Sequence, residues 1–307
     1  MRTARNAAGE TRPGKKGANA GRERAKRARA TRARRVGGQS VRADKAPRRR
    51  AEPEVALAID IGNTQTVLGI FQGEDLALFR RVSSGIARTG DELAVLVSAL
   101  CRGYHEQIQR DGRIVLGSVV PALTQEYEAM CARLYGRRPL VVSSRVKTGV
   151  RVELPDPSSL GADRIANAAA VADGPLPAIV VDLGTATTFD VIRPGRRYIG
   201  GAIAPGIRTS ADELFHRAAR LAKVEIRKPP HPIGRTTEES IQVGVYYGAI
   251  GTIDGIVRRL EKELKRPARV IATGGLARLI SGGSETIEAV DEALTLRGLK
   301  KILSLNR

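Results

Sequence analysis

Cysteine occurs only twice in this chain, at Cys101 and Cys131, and histidine three times, at His105, His216 and His231. The two cysteines lie in helix-like segments without CxxC spacing, which suggests a reduced, cytoplasmic protein with buried or incidental thiols. The histidines are scattered, and no zinc-type cluster can be drawn from them. No apolar run approaches the ~18 residues needed to span a membrane. No apolar stretch follows the basic residues at the start, so a secretory signal has no support.

Acidic residues are also scarce at one end. Residues 1–53 carry 18 Lys and Arg against 4 acids, whereas the other 254 residues have a net charge of only +6. That first segment is rich in Arg, Ala and Gly and has almost no aliphatic side chains, so it cannot bury enough apolar surface to offset its ordering entropy. It reads as disordered. Three roles stay open for it: a tether to nucleic acid or an anionic surface, a transit peptide lacking the usual apolar helical face, or a non-functional extension read from upstream sequence.

What is present is a motif that occurs twice. Asp60-Ile61-Gly62-Asn63-Thr64-Gln65-Thr66-Val67 follows the apolar run 55–59, and Asp182-Leu183-Gly184-Thr185-Ala186-Thr187-Thr188 follows the run 178–181. Each reads as strand, tight turn, strand, with β-branched residues flanking a glycine. Each sets one carboxylate at a strand end, with backbone amides and hydroxyls in the turn. That equipment suits a phosphate and its cation. Either copy alone reads equally well as an ordinary hairpin. Their agreement over Asp-hydrophobic-Gly-polar, with threonines close behind, points to duplication.

The order of elements repeats too. Residues 55–71 form an expected hairpin, 77–82 a third strand, 91–109 a helix with Thr89 as N-cap, and 113–120 a strand. A helix through residue 135 and a strand at 139–143 follow. After the turn-rich link 173–177, the pattern resumes with a hairpin at 178–192 and a strand at 197–203. Helices at 210–221 and 240–264, a strand at 269–272 and a last helix at 295–305 complete it. The expected organisation is a basic extension over 1–53 and two α/β domains with mixed sheets, 54–177 and 178–307.

Between the twin turns, Gly161-Ala162-Asp163-Arg164 opens a helix of small residues at 165–172 whose face permits close packing. Asp163 suits a first helical turn through the helix dipole. A guanidinium beside a carboxylate equally suits an anionic substrate positioned for proton removal. Gly200-Gly201-Ala202-Ile203-Ala204-Pro205-Gly206 is a glycine-rich strand exit, Thr237 and Ser240 are capping candidates, and Thr273-Gly274-Gly275 suits a nucleotide-side loop.

Together these residues resemble the type III pantothenate kinases, in the superfamily of actin, sugar kinases and chaperone ATPases. The resemblance runs from about residue 55 to 303, carried by the two Asp-x-Gly turns, Gly161-Ala162-Asp163-Arg164, the strand exit at Gly200 and Thr273-Gly274-Gly275. It implies paired ribonuclease-H-like domains and a homodimer with active sites at the subunit interface. It also implies ATP-dependent phosphorylation of pantothenate at the entry to coenzyme A synthesis.

Carried over by position, Asp60, Ile61, Gly62, Asn63, Thr64, Gln65, Thr66 and Val67 would form the ATP phosphate loop, with Asp60 helping to place Mg2+. Gly161, Ala162, Asp163 and Arg164 would contact pantothenate, with Asp163 as proton acceptor. Asp182 would hold a monovalent cation, K+ or NH4+, Thr185 would touch ATP, and Thr237 would bind pantothenate across the dimer. The family's tyrosine seven residues ahead of the glycine is Leu154 here. No GxxxxGK[ST] sequence occurs, which argues against a P-loop kinase. Two other readings remain: a kinase for another small hydroxy acid, or a relative acting as a regulatory, nucleic-acid-associated factor through the basic segment.

Overall fold

Strand parity explains the architecture of this chain, seen here in a computed structural model that describes residues 54–217 and 224–306. The basic segment 1–53, with its proposed roles, and the end of the helix expected at 210–221 lie outside the described residues. In β1 (Val55–Ile61), Val55, Leu57, Ile59 and Ile61 point one way, while Ala56, Ala58 and Asp60 point the other. In β7 (Ala178–Leu183), Ile179, Val181 and Leu183 alternate in the same manner with Ala178, Val180 and Asp182. Successive side chains on a strand take opposite faces, so each strand presents a bulky face, a small-residue face and a carboxylate at its end.

Each strand anchors its own sheet. β1, β2 (Gln65–Gln72) and β3 (Asp75–Ser83) form an antiparallel meander, and β4 (Arg113–Ser118) and β5 (Leu140–Val141) add in parallel on the other side of β1. The second sheet repeats this plan. Here β7, β8 (Ala186–Arg193) and β9 (Arg197–Pro205) form the meander, and β10 (Arg269–Thr273) and β11 (Ala289–Val290) run parallel to β7. One strand crosses over: β6 (Arg151–Val152) pairs with β9 of the second sheet. The expected pair of ribonuclease-H-like halves is therefore present, with two mixed sheets of like connectivity.

Five layers result. Helices α1 (Gly90–Leu100), α2 (His105–Arg110) and α3 (Pro121–Tyr135) cover the outer face of the first sheet. The outer face of the second packs against α5 (Ile207–Arg217), α6 (Thr237–Leu264) and α7 (Ala277–Ser281). Between the inner faces lie α4 (Ala162–Val171) and the last helix, α8 (Leu294–Leu305). Each fully buried Leu, Ile or Phe of these layers contributes about 1.5–3 kcal/mol.

Thr89 caps α1 as expected, in a reciprocal box with Glu92. The single helix expected at 91–109 is instead two. Cys101 ends α1, a turn with Gly103 at φ 93° follows, and α2 restarts at His105. The apolar period carries across the turn because Ile108 still reaches the same core. Thr236, one residue before the expected Thr237, caps α6 and accepts from Glu239 N at 3.2 Å.

The central layer is tight because α4 is mostly alanine. A Cβ on Gly298 of α8 would lie 1.8 Å from the Ala166 carbonyl oxygen. Gly298→Ala should therefore destabilise the protein by about 1–3 kcal/mol through overpacking, despite the ~1 kcal/mol that alanine normally adds in a helix. Thermal unfolding reads the balance, and an unchanged or raised Tm would contradict the close α4–α8 approach.

Asp254, buried on α6, opposes its own ionisation by burial, but hydrogen bonds from Ser284, Glu285 and Thr286 outweigh this and lower its pKa. A lowered carboxylate contributes stability above its unfolded pKa and loses it as pH falls through the folded value. Asp254→Asn should cost about 1–3 kcal/mol at neutral pH. The difference in Tm from the parent should shrink below about pH 4. A difference that stays constant down to pH 3 would assign the effect to packing.

Candidate active site

The face that carries Asp60 and Asp182 is the one that meets the N-terminus of α4, so three acidic residues converge there. Asp60 lies opposite Val67 and Gly117 in its sheet, and Asp182 opposite Thr188 and Thr273 in the other. Asp163 sits in the first turn of α4, which Gly161 opens. Burial first, then repulsion from Asp163 and Asp182, pushes the Asp60 carboxyl well above its ordinary pKa. Asp182 is pushed up to about 6, chiefly by burial. Asn167 and Arg81 pull it down, and Asp163 pushes it further up.

The two turns touch. Thr64 and Thr185 share a hydroxyl–hydroxyl hydrogen bond of 2.9 Å, joining the tips of the β1–β2 and β7–β8 hairpins. The copies differ in length, however. Ile61 pairs with Thr66 around four turn residues, whereas Leu183 pairs with Thr187 around three. The structural equivalent of Thr66 is therefore Thr187, and both are buried. Within the first turn Gly62 N donates to the Gln65 carbonyl at 3.1 Å, and Asn63, Thr64 and Gln65 are exposed at its tip.

Ser84, just past β3, holds this turn from behind. Its N–H donates to the Thr64 carbonyl at 3.0 Å, its hydroxyl bonds the Gly62 carbonyl, and it pairs with the Thr66 hydroxyl at 3.0 Å. The second turn is held by Thr209 of α5, whose hydroxyl donates to the Thr185 carbonyl at 2.8 Å.

Helix α4 supplies the rest. The Asp163 carboxylate folds back to accept from Arg164 N at 2.8 Å. Asn167, one turn on and fully buried, donates to Asp182 at 3.1 Å and accepts from Thr295 of α8 at 2.8 Å. Arg164 turns toward the second sheet, where its Nε donates to Asp190 at 2.7 Å and its guanidinium lies 5.9 Å from the Tyr198 ring centre. Tyr198 donates to the same Asp190 oxygen at 2.8 Å. Asp190 is fully buried, and burial raises it to about 6 against the pull of Arg164 and Tyr198.

Thr237 stands apart: it is exposed at the start of α6 and makes no side-chain hydrogen bond to Asp60, Asp163 or Asp182. Leu154 packs at the rim of the central cluster, 3.6 Å from where a Cβ on Gly200 would lie.

Sequence reading did not single out Ser84, Asn167, Asp190, Tyr198 or Thr295. Asp190 had a usable signal, since a lone acid between Phe189 and Val191 in a strand must be paired or ligand-bound. The others are polar residues in ordinary settings.

A surplus of half-buried carboxylate over nearby positive charge fits a cation. Among the described residues, no three His, Cys, Asp or Glu side chains are grouped to hold a metal by themselves. An ion here would need oxygens from a bound ligand, the usual arrangement for magnesium with substrate phosphates. The exposed hydroxyls and amides of the paired turns suit such phosphates.

Gly274, with φ 93°, closes the loop after β10, and a Cβ there would lie 2.7 Å from both Asp182 Oδ1 and the Leu183 backbone. Gly274→Ala should cost about 1–3 kcal/mol and weaken nucleotide binding measured by calorimetry. Parent-like stability and affinity would show that the loop has slack.

Comparison with known proteins gives a consistent result. The family model for type III pantothenate kinase matches residues 56–259. A type III pantothenate kinase of Syntrophotalea carbinolica is 45% identical over 252 residues, covering 82% of this chain and 99% of that protein. One from Geobacter sulfurreducens is 46% identical over 252 residues, again covering 82% and 99%. Among solved structures, a conserved Baf-family protein of Campylobacter jejuni matches with TM-score 0.52 at 20% identity, covering 81% of this chain and 97% of that one. Component A of the Acidaminococcus fermentans (R)-2-hydroxyglutaryl-CoA dehydratase matches at 0.50 and 14% identity, covering 82% and 97%. These two structural likenesses speak to the fold alone.

Proposed function

The chain belongs to the type III pantothenate kinase family, and we propose the following division of labour for the ATP-dependent phosphorylation of pantothenate that it performs in coenzyme A synthesis. The observation that carries it is the hydrogen bond between Thr64 and Thr185, which joins the tips of the two hairpins that bear Asp60 and Asp182.

Residues Asp60 to Val67 form the phosphate loop, with the exposed amides and hydroxyls of Asn63 and Thr64 on the phosphate oxygens and Thr185 contacting ATP from the opposite turn. Asp182 holds a monovalent cation, K+ or NH4+, and Asp60 helps to place Mg2+. When bound, these cations offset the charge that spreads over the transferring phosphoryl group. Gly161 to Arg164 contact pantothenate. Asp163 accepts the proton of its primary hydroxyl while the hydroxyl oxygen attacks the γ-phosphorus in line.

Thr237, exposed at the start of α6, reaches pantothenate from the second subunit of a cytoplasmic homodimer. The halves 54–177 and 178–307 meet at the 173–177 turn. No helix among the described residues is long and apolar enough to cross a membrane.

An ADP-release assay with pantothenate and ATP, run with and without potassium, tests this reading. Asp163→Asn should lower kcat by about 10²–10⁴-fold and leave the Tm intact, and Asp182→Asn should abolish the response to potassium. Full turnover by Asp163→Asn would reject it as the base. Faster turnover of another hydroxy acid would reassign the acceptor.

A further inference from the structure

Arg164 carries two neighbours that the reaction itself does not use. Asp190 lies inside β8 with its side chain on the inner face, opposite the first turn of α4. It is fully buried, and its Oδ1 accepts from both Arg164 Nε and the Tyr198 hydroxyl, while Oδ2 has no partner among the described residues. Burying a carboxylate is costly unless it is paired, so the strand retains it for what it does to its partner.

That partner is constrained at two points and stays partly exposed. The Arg164 Nε is engaged by Asp190, its plane lies over the Tyr198 ring, and its side chain keeps 17% exposure. No hydrogen bond from either terminal nitrogen is present among the described residues, so the carboxylate-matching edge of the guanidinium is left for a ligand. Asp163 and Arg164 are consecutive but their side chains take different directions, so one ligand can meet the carboxylate at its hydroxyl end and the guanidinium at its carboxylate end. At the position of the family's tyrosine, Leu154 offers no hydroxyl, which places more of the acceptor's grip on the guanidinium.

We infer that Asp190 and Tyr198 are positioning residues that aim Arg164 at the carboxylate of pantothenate, setting affinity for the acceptor rather than the rate of phosphoryl transfer. The inference rests on the reading that Arg164 contacts pantothenate. A guanidinium held in place beforehand binds without losing its own rotamer freedom, whereas an unheld one must be ordered by the substrate. Because the acceptor's carboxylate is not the atom that reacts, this loss falls on ground state and transition state alike.

Steady-state kinetics of the full chain decide it. Tyr198→Phe keeps the ring and removes one hydrogen bond to the carboxylate. It should raise the KM for pantothenate about fivefold, with kcat and the KM for ATP within about twofold of the parent. Asp190→Asn should raise the same KM further. Combined with Arg164→Gln, Tyr198→Phe should add little, because both act through one group. Calorimetric titration with pantothenate should show the same order.

An unchanged pantothenate KM in Tyr198→Phe, or an equal effect on ATP or kcat, would overturn the inference. Should Asp190→Asn fail to fold, Tyr198→Phe still decides. If Arg164→Gln itself leaves the pantothenate KM unmoved, the fault lies with the underlying contact. If Arg164→Gln raises it and Tyr198→Phe does not, only the positioning role falls.

Discussion

Like charges gathered out of water repel, and the rest of this molecule is organised around that constraint. Asp60 and Asp182 sit at equivalent strand ends, both on inner faces, and Asp163 adds a third acid from the start of α4. Burial first, and repulsion from Asp163 after it, raise the first two above the usual carboxylate range. Such a cluster opposes the ~5–15 kcal/mol that stabilises a typical fold. In the proposed reading, cations brought with ATP supply the missing charge and relieve this repulsion. The Thr64–Thr185 contact keeps the two turns within reach of one another without adding charge of either sign.

The central layer explains how acids from separate sheets come to face each other. Alanines on α4 and Gly298 on α8 let the two helices lie against each other between the inner faces. This closeness also has a chemical result: Thr295 of α8 orients Asn167, and Asn167 holds Asp182. The last helix of the chain is thus wired to the cation-binding carboxylate proposed in the second hairpin. Lys301 strengthens the same junction by donating to the Ala169 carbonyl at 2.7 Å and pairing with Asp173 at 2.7 Å.

Much of this was legible in the sequence because it rests on local pattern. Period-two alternation in 55–61 and 178–183 marks the strands, the Asp-x-Gly turns mark their ends, and the alanine run of α4 announces close packing. Three things were not legible. The one-residue difference in turn length is set by pairing register, which identical-looking motifs conceal. The helix break at Gly103 is hidden because apolar spacing continues through it. The polar contacts of Ser84, Asn167, Asp190, Tyr198 and Thr295 join residues from 8 to 128 positions apart, and no local rule links them.

Asp163 and Arg164 are neighbours in sequence, and a helix separates them by about 100°. That angle matters more than their adjacency. Left facing each other, they would form a salt bridge. Instead Asp190 draws the guanidinium to the second sheet, and Asp163 forms no ion pair among the described residues. The carboxylate stays within electrostatic range of Asp60 and Asp182, while the terminal guanidinium nitrogens make no hydrogen bond among the described residues. A single buried aspartate on β8 thereby keeps two opposite charges next to each other in the chain without their pairing, as the proposed roles of both require.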